Sequence, residues 1–212
     1  MFGQALKVFL CDVGGVMIPF DNDKSVKWLA KLTGRPDIDP NKVAELFTSP
    51  TWIGYGTGRV SDGEFCDFVR DFLWLPEAVT DREIKEAISK AFEPPSTDML
   101  ALLEELREEG IPTVAVTNIE PVRERFLFHL GLLFHTDGIV RSYRVGALKP
   151  DPAMYEKALE LARVPADCVV FVDDTLANVK AAEAMGIRSF HYTGDVLALR
   201  EFLVDCGFLP RR

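Results

Sequence analysis

Cysteine is scarce in this chain and unpaired. The four, Cys11, Cys66, Cys168 and Cys206, form no CxxC, and no close Cys/His cluster suggests zinc. Cys11 and Cys168 sit in or beside apolar runs, where a thiol acts as a small buried hydrophobe in a reducing cytosol. Histidine is rarer still, and His129, His135 and His191 share no ligand-like spacing. Positive charge is in deficit: 24 Lys+Arg stand against 33 Asp+Glu, for a net charge of −9. Sequence-independent nucleic-acid binding needs cations that neutralise many phosphates, so that class is disfavoured. One small anionic ligand is still allowed, since a few local cations and backbone amides hold a single phosphate. No apolar run is long enough to span a bilayer. The opening "MFGQALK" lacks the basic, apolar and cleavage segments of a signal peptide. The expectation is a cytoplasmic protein, monomer or homodimer, with neither a nucleic-acid nor a membrane partner. Gly54, Gly56 and Gly58 are too polar-flanked and misplaced for a dinucleotide fingerprint.

What is present reads as a folded α/β protein. The 212 residues are 48% hydrophobic with a mean hydropathy of +0.06. Four apolar runs, "LKVFLC", "PTVAVT", "CVVFVD" and "IRSFHY", suit strands of a parallel sheet buried on both faces, and "DGIVRS" is a weaker fifth. Helical patterns fill the gaps. "STDMLALLEELREEG" has Ser96 or Thr97 as a cap and Gly110 as a stop; "PVRERFLFHLG" opens on proline and ends at Gly131; "DPAMYEKALELARV" and "LANVKAAEAMG" repeat the theme. The order predicts a doubly wound parallel sheet. One segment breaks the alternation. Residues 20–95 hold helical stretches and no strand, about seventy-five residues where ordinary connections are a few. The expected organisation is a core of residues 1–19 and 96–212 with residues 20–95 inserted as a small α-helical cap. Trp28, Trp52 and Trp74 all fall in this insert and are expected in its core, with Trp52 on the glycine-rich loop "SPTWIGYGTG".

Ligands of an open parallel sheet bind beyond the carboxyl ends of its strands. There the sequence places Asp12, then Val13-Gly14-Gly15; Thr117 and Asn118; Asp173, Asp174 and Thr175, with Asn178 one helical turn on; and Lys149 in "GALKPDP". Hard oxygen ligands from Asp12, Asp173 and Asp174 suit Mg²⁺. Three carboxylates alone would repel a phosphate, and Mg²⁺ with the Lys149 ammonium cancels that repulsion. Thr117 offers a hydroxyl and the amides after it open a helix, a natural anion cradle. Asp12 is then a candidate nucleophile toward phosphorus. Singly, each signal is weak; the order and the strand-end placement carry the reading.

In order, "FLCDVGGV", "VAVTN", "VGALKPDPAMY" and "VVFVDDTLANVKAAEAMGI" resemble the four motifs of the haloacid dehalogenase-like superfamily, over nearly the whole chain. The helical insert is similar to the family's small α-helical cap. "YGTGRVSDGEF" is similar to a cap stretch of members such as the phosphatase domain of soluble epoxide hydrolase and bacterial sugar-phosphate phosphatases. The resemblance implies a Mg²⁺-dependent phosphatase acting on a small phosphorylated metabolite through an aspartyl-phosphate on Asp12. It implies that Asp12, the Gly14 carbonyl and Asp174 bind Mg²⁺, with Asp173 a second or outer ligand. Thr117 and Asn118 would hold phosphate oxygens, Lys149 would bridge phosphate and nucleophile, and Asn178 would support the metal site.

Gly14 departs from the family pattern, which usually has aspartate there to protonate the leaving alkoxide and then activate water. Loss of such a group costs on the order of 10²–10⁴ in rate. Three readings follow. The protein is a phosphatase for leaving groups that need little protonation, or one that borrows another acid. It is a dehalogenase, in which Asp12 attacks carbon; the family's dehalogenases usually carry an aromatic residue at this position and need no Mg²⁺. Or it binds a phosphate ligand or a partner without catalysis. Asp21 and Asp23, at the hinge, could reach in as the borrowed acid, with Glu120 a weaker candidate; the first two are read before that as caps of a helix starting near Ser25, and Glu120 as an ordinary first-turn acid.

Overall fold

The computed structural model describes residues 6–211. The reading of Met1–Ala5 as a lead-in to the first strand, and the Arg212 end of the core, lie outside them. Five parallel strands form one sheet: β1 Val8–Cys11, β2 Thr113–Thr117, β3 Gly138–Arg141, β4 Val169–Asp173 and β5 Arg188–His191, in the order β3-β2-β1-β4-β5. β1 is central and wholly buried, with Phe9 opposite both Thr113 and Val170. Side chains alternate across the sheet as the two-residue period requires. Phe9 and Cys11 join one apolar cluster, Val8 and Leu10 the other.

The helices follow from caps and apolar spacing. Between β1 and β2 lie α1 Asn22–Leu32, α2 Pro40–Ala44, α3 Pro50–Gly56, α4 Asp62–Leu73, α5 Asp81–Ser89 and α6 Thr97–Glu108. After β2 come α7 Pro121–His129, α8 Ser142–Val145, α9 Pro152–Ala162, α10 Leu176–Ala184 and α11 Val196–Asp205. Ser96 caps α6 through the Met99 amide, and capping boxes open α4 (Ser61/Glu64) and α5 (Thr80/Glu83). The first apolar cluster draws on α6, α7 and α11, the second on α9 and α10, so helices cover both faces of the sheet.

Helices α1–α5 close over a third cluster of their own, including Leu29, Leu46, Tyr55, Phe65 and Ile84. They join the sheet layer through a short antiparallel contact, Asp21 N–H to Ala91 O at 2.8 Å and Glu93 N–H to Pro19 O at 3.1 Å, with Phe20 paired to Phe92. From the sheet side Val122 of α7 enters this third cluster.

Four local expectations are corrected. "IRSFHY" is not buried on both faces: β5 is the sheet edge and its end residues are exposed. "SPTWIGYGTG" is not a loop but α3, because Ser49 caps it and Pro50 sits at its first position. Trp52 is buried, but Trp28 and Trp74 are 44% and 66% exposed. Trp28 lies between the ammonium groups of Lys31 and Lys90, and Trp74 is the left-handed C-cap of α4. Helix α1 starts at Asn22, with Asp21 as its N-cap.

Candidate active site

From β1 the chain runs out through β2 and β3 on one side, then crosses to β4 and β5 on the other. Connections therefore diverge between β1 and β4, and the crevice opens at their carboxyl ends. Asp12 follows β1 and Asp173 ends β4. The chain after Asp12 turns back at once, with Gly15 N–H to Ile18 O at 2.8 Å and Ile18 N–H to Val13 O at 3.0 Å. Gly15 sits at φ +82, and a Cβ there would lie 2.0 Å from Asp174 Oδ2. Glycine at 15 is thus the condition for the Asp174 carboxylate to lie against the β1 loop.

Lys149 Nζ lies 2.9 Å from Asp12 Oδ1 and 2.6 Å from Asp173 Oδ2. Its side chain is 1% exposed. Asp12 Oδ1 also accepts the Val13 N–H at 2.7 Å. Burial pushes the Asp12 carboxyl up to about 7, Lys149 opposes the rise and Asp173 adds to it. Burial works against the Lys149 ammonium, but Asp12 and Asp173 outweigh it and its pKa is raised. Asp174 is raised by burial and by Asp173.

Carboxylate oxygens of Asp12, Asp173 and Asp174 all lie within 4.8 Å of one another. Fully ionised, three carboxylates and one ammonium carry a surplus of two negative charges. That donor set and that surplus fit a hard divalent cation such as Mg²⁺.

The structure brings the sequence candidates together, with two refinements. Asp173 is fully buried and its oxygens are already engaged: Oδ2 by Lys149, Oδ1 by the Thr175 amide at 2.8 Å and Asn178 Nδ2 at 2.9 Å. It is placed first to orient Lys149. Asn178 therefore supports the site through Asp173, and Tyr155 O–H in turn donates to its carbonyl at 2.9 Å. The Asn118 side chain is spent on the Lys149 backbone, accepting its N–H at 2.7 Å and donating to its carbonyl at 3.0 Å. What Asn118 leaves for an anion is its own backbone. Thr117 ends β2, 5% exposed, beside this clamp. Ser142, which no motif marked, fixes the same turn: its hydroxyl accepts the Ile119 N–H at 2.9 Å and donates to Ile119 O at 3.1 Å.

The flank at Gly14 differs. A Cβ on Gly14 would lie 3.4 Å from Phe20 Cγ, so the ring of Phe20 lies against the place where a side chain at 14 would begin. Arg123 of α7 stacks on Phe20, Phe47 and Trp52 at 5.0, 5.4 and 4.8 Å from the ring centroids. It donates to Asn22 Oδ1 at 2.6 Å and faces Glu120 Oε2 at 3.5 Å. Glu120 is not an ordinary first-turn acid, being 5% exposed.

The model of the haloacid dehalogenase-like hydrolases matches residues 6–186. The chain belongs to this family. As a haloacid dehalogenase-like hydrolase it is 28% identical to sesquiterpene phosphatase astK of Aspergillus oryzae over 94% of this chain and 97% of that one. It is 31% identical to cattle haloacid dehalogenase-like hydrolase domain-containing protein 3 over 66% of this chain, spanning 60% of that protein's length. Its fold superposes with a TM-score of 0.78 at 22% identity on a family enzyme of Bacteroides thetaiotaomicron, solved with magnesium and inorganic phosphate, covering 90% and 96% of the two chains. Among the described residues, no helix of this hydrolase is long and apolar enough to cross a membrane.

Proposed function

We propose that this hydrolase cleaves a small phosphomonoester, with Asp12 as nucleophile. The observation that carries the reading is the buried Lys149 ammonium bridging Asp12 and Asp173 beside Asp174 at the β1/β4 crevice. The names of the A. oryzae relative and of the magnesium and phosphate complex support it.

Asp12, Asp174 and the Gly14 carbonyl would hold Mg²⁺, with Asp173 as an outer ligand. When bound, the ion supplies the positive charge that lets a phosphate approach these carboxylates. Lys149 keeps Asp12 in place by its 2.9 Å contact and offers a cation to the phosphate. Thr117 and the backbone after it take phosphate oxygens. Asp12 attacks phosphorus to give the aspartyl-phosphate, and water then releases inorganic phosphate and restores the carboxylate. Residues 20–95 act as the cap that excludes water and selects the leaving group. The three-carboxylate cluster suits a divalent cation, which favours phosphate chemistry over a dehalogenase reading. The four free thiols fit a reducing, cytoplasmic setting.

The test is release of p-nitrophenol from p-nitrophenyl phosphate, with and without Mg²⁺. Turnover should need Mg²⁺ and fall to background in Asp12→Asn, whose amide is a poor nucleophile. Undiminished turnover in a folded Asp12→Asn enzyme would overturn the mechanism.

A further inference from the structure

We propose that Glu120 is the acid and base that Gly14 cannot be, giving a proton to the leaving-group oxygen and taking one from the attacking water; this rests on the phosphatase reading above. Asp23 of the hinge is exposed in the first turn of α1, and the other acids around the crevice are held by partners. Asp21 accepts the Asp23 amide as a helix cap, Glu124 is held by Arg141 and Tyr143, and Asp62 is held by Tyr55, Lys85 and Arg125. Glu120 is different. Among the described residues its Oε2 is buried with no hydrogen-bond partner, and so is Arg123 Nε beside it. A buried carboxyl oxygen left without a donor demands an explanation, and a role in catalysis is one.

The position fits. Glu120 stands three residues beyond Thr117, at the N-terminus of α7. Its Oε2 is turned to Arg123 at 3.5 Å. Its Oε1 lies on the side of α3 and the Lys149 loop: a Cβ added to Gly56 would be 3.6 Å from Oε1 and 3.6 Å from Leu148, the neighbour of Lys149. Glycine at 56 leaves that space open. Arg123 is continuous with Phe20, which lies against Gly14. Phe20 and the Arg123 guanidinium stand between this carboxyl and the Gly14 position, so the route to the leaving group is the Oε1 side, past Gly56 and Leu148. Burial raises the Glu120 pKa against the pull of Arg123 and of its own backbone amide, the direction a proton donor needs. Arg123 is the positioning residue.

The proton account closes. As the bond from phosphorus to the leaving oxygen breaks and that to Asp12 forms, Glu120 protonates the alkoxide and becomes a carboxylate. Water then attacks the aspartyl-phosphate, Glu120 takes its proton, and phosphate leaves. Nothing is oxidised or reduced.

The experiment compares p-nitrophenyl phosphate with glycerol 2-phosphate for the wild type and Glu120→Gln. A nitrophenolate needs no proton to leave; a glycerol alkoxide does. Glu120→Gln should lower kcat/KM for glycerol 2-phosphate by about 10²–10⁴-fold. For p-nitrophenyl phosphate kcat/KM should stay near the wild-type value, because its leaving group needs no proton, while kcat falls and a burst appears as phospho-enzyme accumulates. Equal losses on both substrates, or no loss on either, overturn the assignment. If Glu120→Gln does not fold, the wild-type pH profile decides. The basic limb of kcat/KM should appear for glycerol 2-phosphate and not for p-nitrophenyl phosphate. Glu120 is faced by Arg123 as its charged neighbour, and by the uncharged Gly56 and Leu148 from the elements packed on it. Identical profiles overturn the assignment. Wild-type inertness toward p-nitrophenyl phosphate removes the phosphatase reading itself, and this inference with it; turnover of that ester alone removes only the role of Glu120.

Discussion

The Lys149 flank of the crevice and the Gly14 flank bury charge in opposite ways. On the Lys149 flank Lys149, Asp12 and Asp173 all have short partners: ammonium to two carboxylates, Asp173 to an amide and to Asn178, the Lys149 peptide to Asn118 on both sides. On the Gly14 flank a guanidinium is held by aromatic rings, and its carboxylate neighbour stands at 3.5 Å with one oxygen unsatisfied. A fully partnered buried network holds one geometry; a partly satisfied one is not held in that way. On the proposed reading, the first flank fixes atoms and the second responds to substrate.

Breaking the first flank should have the largest effect. Lys149→Met removes the cation from between Asp12 and Asp173 and leaves both carboxylates buried without it. Truncating one partner of a buried pair typically costs about 3–5 kcal/mol. Urea unfolding without Mg²⁺ should show a loss of that size, and turnover should be lost as well. A loss below about 1 kcal/mol, the value of an exposed pair, would mean that the three groups do not act as one unit.

Metal addition sharpens the same comparison. At about a hundredfold excess over Kd, a ligand of the folded state adds about 2.7 kcal/mol. For a chain of this size that raises Tm by about 5–10 °C. Mg²⁺ should give such a rise in the wild type. Gly15→Ala should diminish it sharply, because the added Cβ would lie 2.0 Å from Asp174 Oδ2. Gly34→Ala is the control: φ is +66 but nothing lies within 4 Å, so it carries the backbone cost alone, about 1–2 kcal/mol. An equal Mg²⁺ shift in all three proteins would remove Asp174 from the cation site.

The two flanks were also unequally legible. Asp12 and Asp173-Asp174 could be placed because an acid closing an apolar run marks a strand end, and a parallel sheet brings strand ends together. The work done by Asn118 could not. Its amide meets a backbone 31 residues away, and only the folded loop shows that the side chain is spent there and not on phosphate. Glu120 was misread for a related reason. A carboxylate before a helix proline is ordinarily solvated, and its burial is made by residues 20–95 folding across α7. Phe20, Phe47 and Trp52 surround Arg123 from three separate segments, a juxtaposition with no periodic signal. Trp28 and Trp74 mislead in the other direction, since core packing was the expectation for each tryptophan of the insert and both are exposed.

The acid–base flank should show itself in stability as well as in rate. Burial raises Glu120 above its ordinary 4.5, so the folded state binds the proton more tightly than the unfolded chain. Stability from this group is then fully present below about 4.5 and is lost as pH rises toward the folded pKa. Glu120→Gln, which carries no titrating proton, should gain on the wild type across that window. Measured as the difference in urea-unfolding free energy, the gap should widen with pH and then level. A gap that widens as pH falls would show that Arg123 holds Glu120 ionised, and the proton donor would have to be sought elsewhere.

The smallest effect concerns Gly14 itself. Its φ lies outside the left-handed region, and a Cβ there meets Phe20 Cγ at 3.4 Å, an ordinary contact. Gly14→Ala should fold within about 1 kcal/mol of the wild type, and either sign is allowed because loss of unfolded-state entropy favours alanine. Gly14→Asp places a carboxylate where Phe20 packs, and the ring must move for the acid to reach substrate. If Glu120 already serves the leaving group, Gly14→Asp gains little on glycerol 2-phosphate. A large gain confined to that substrate, with Gly14→Ala silent, would show instead that the Gly14 flank lacks an acid and that Phe20 is the only obstacle to installing one.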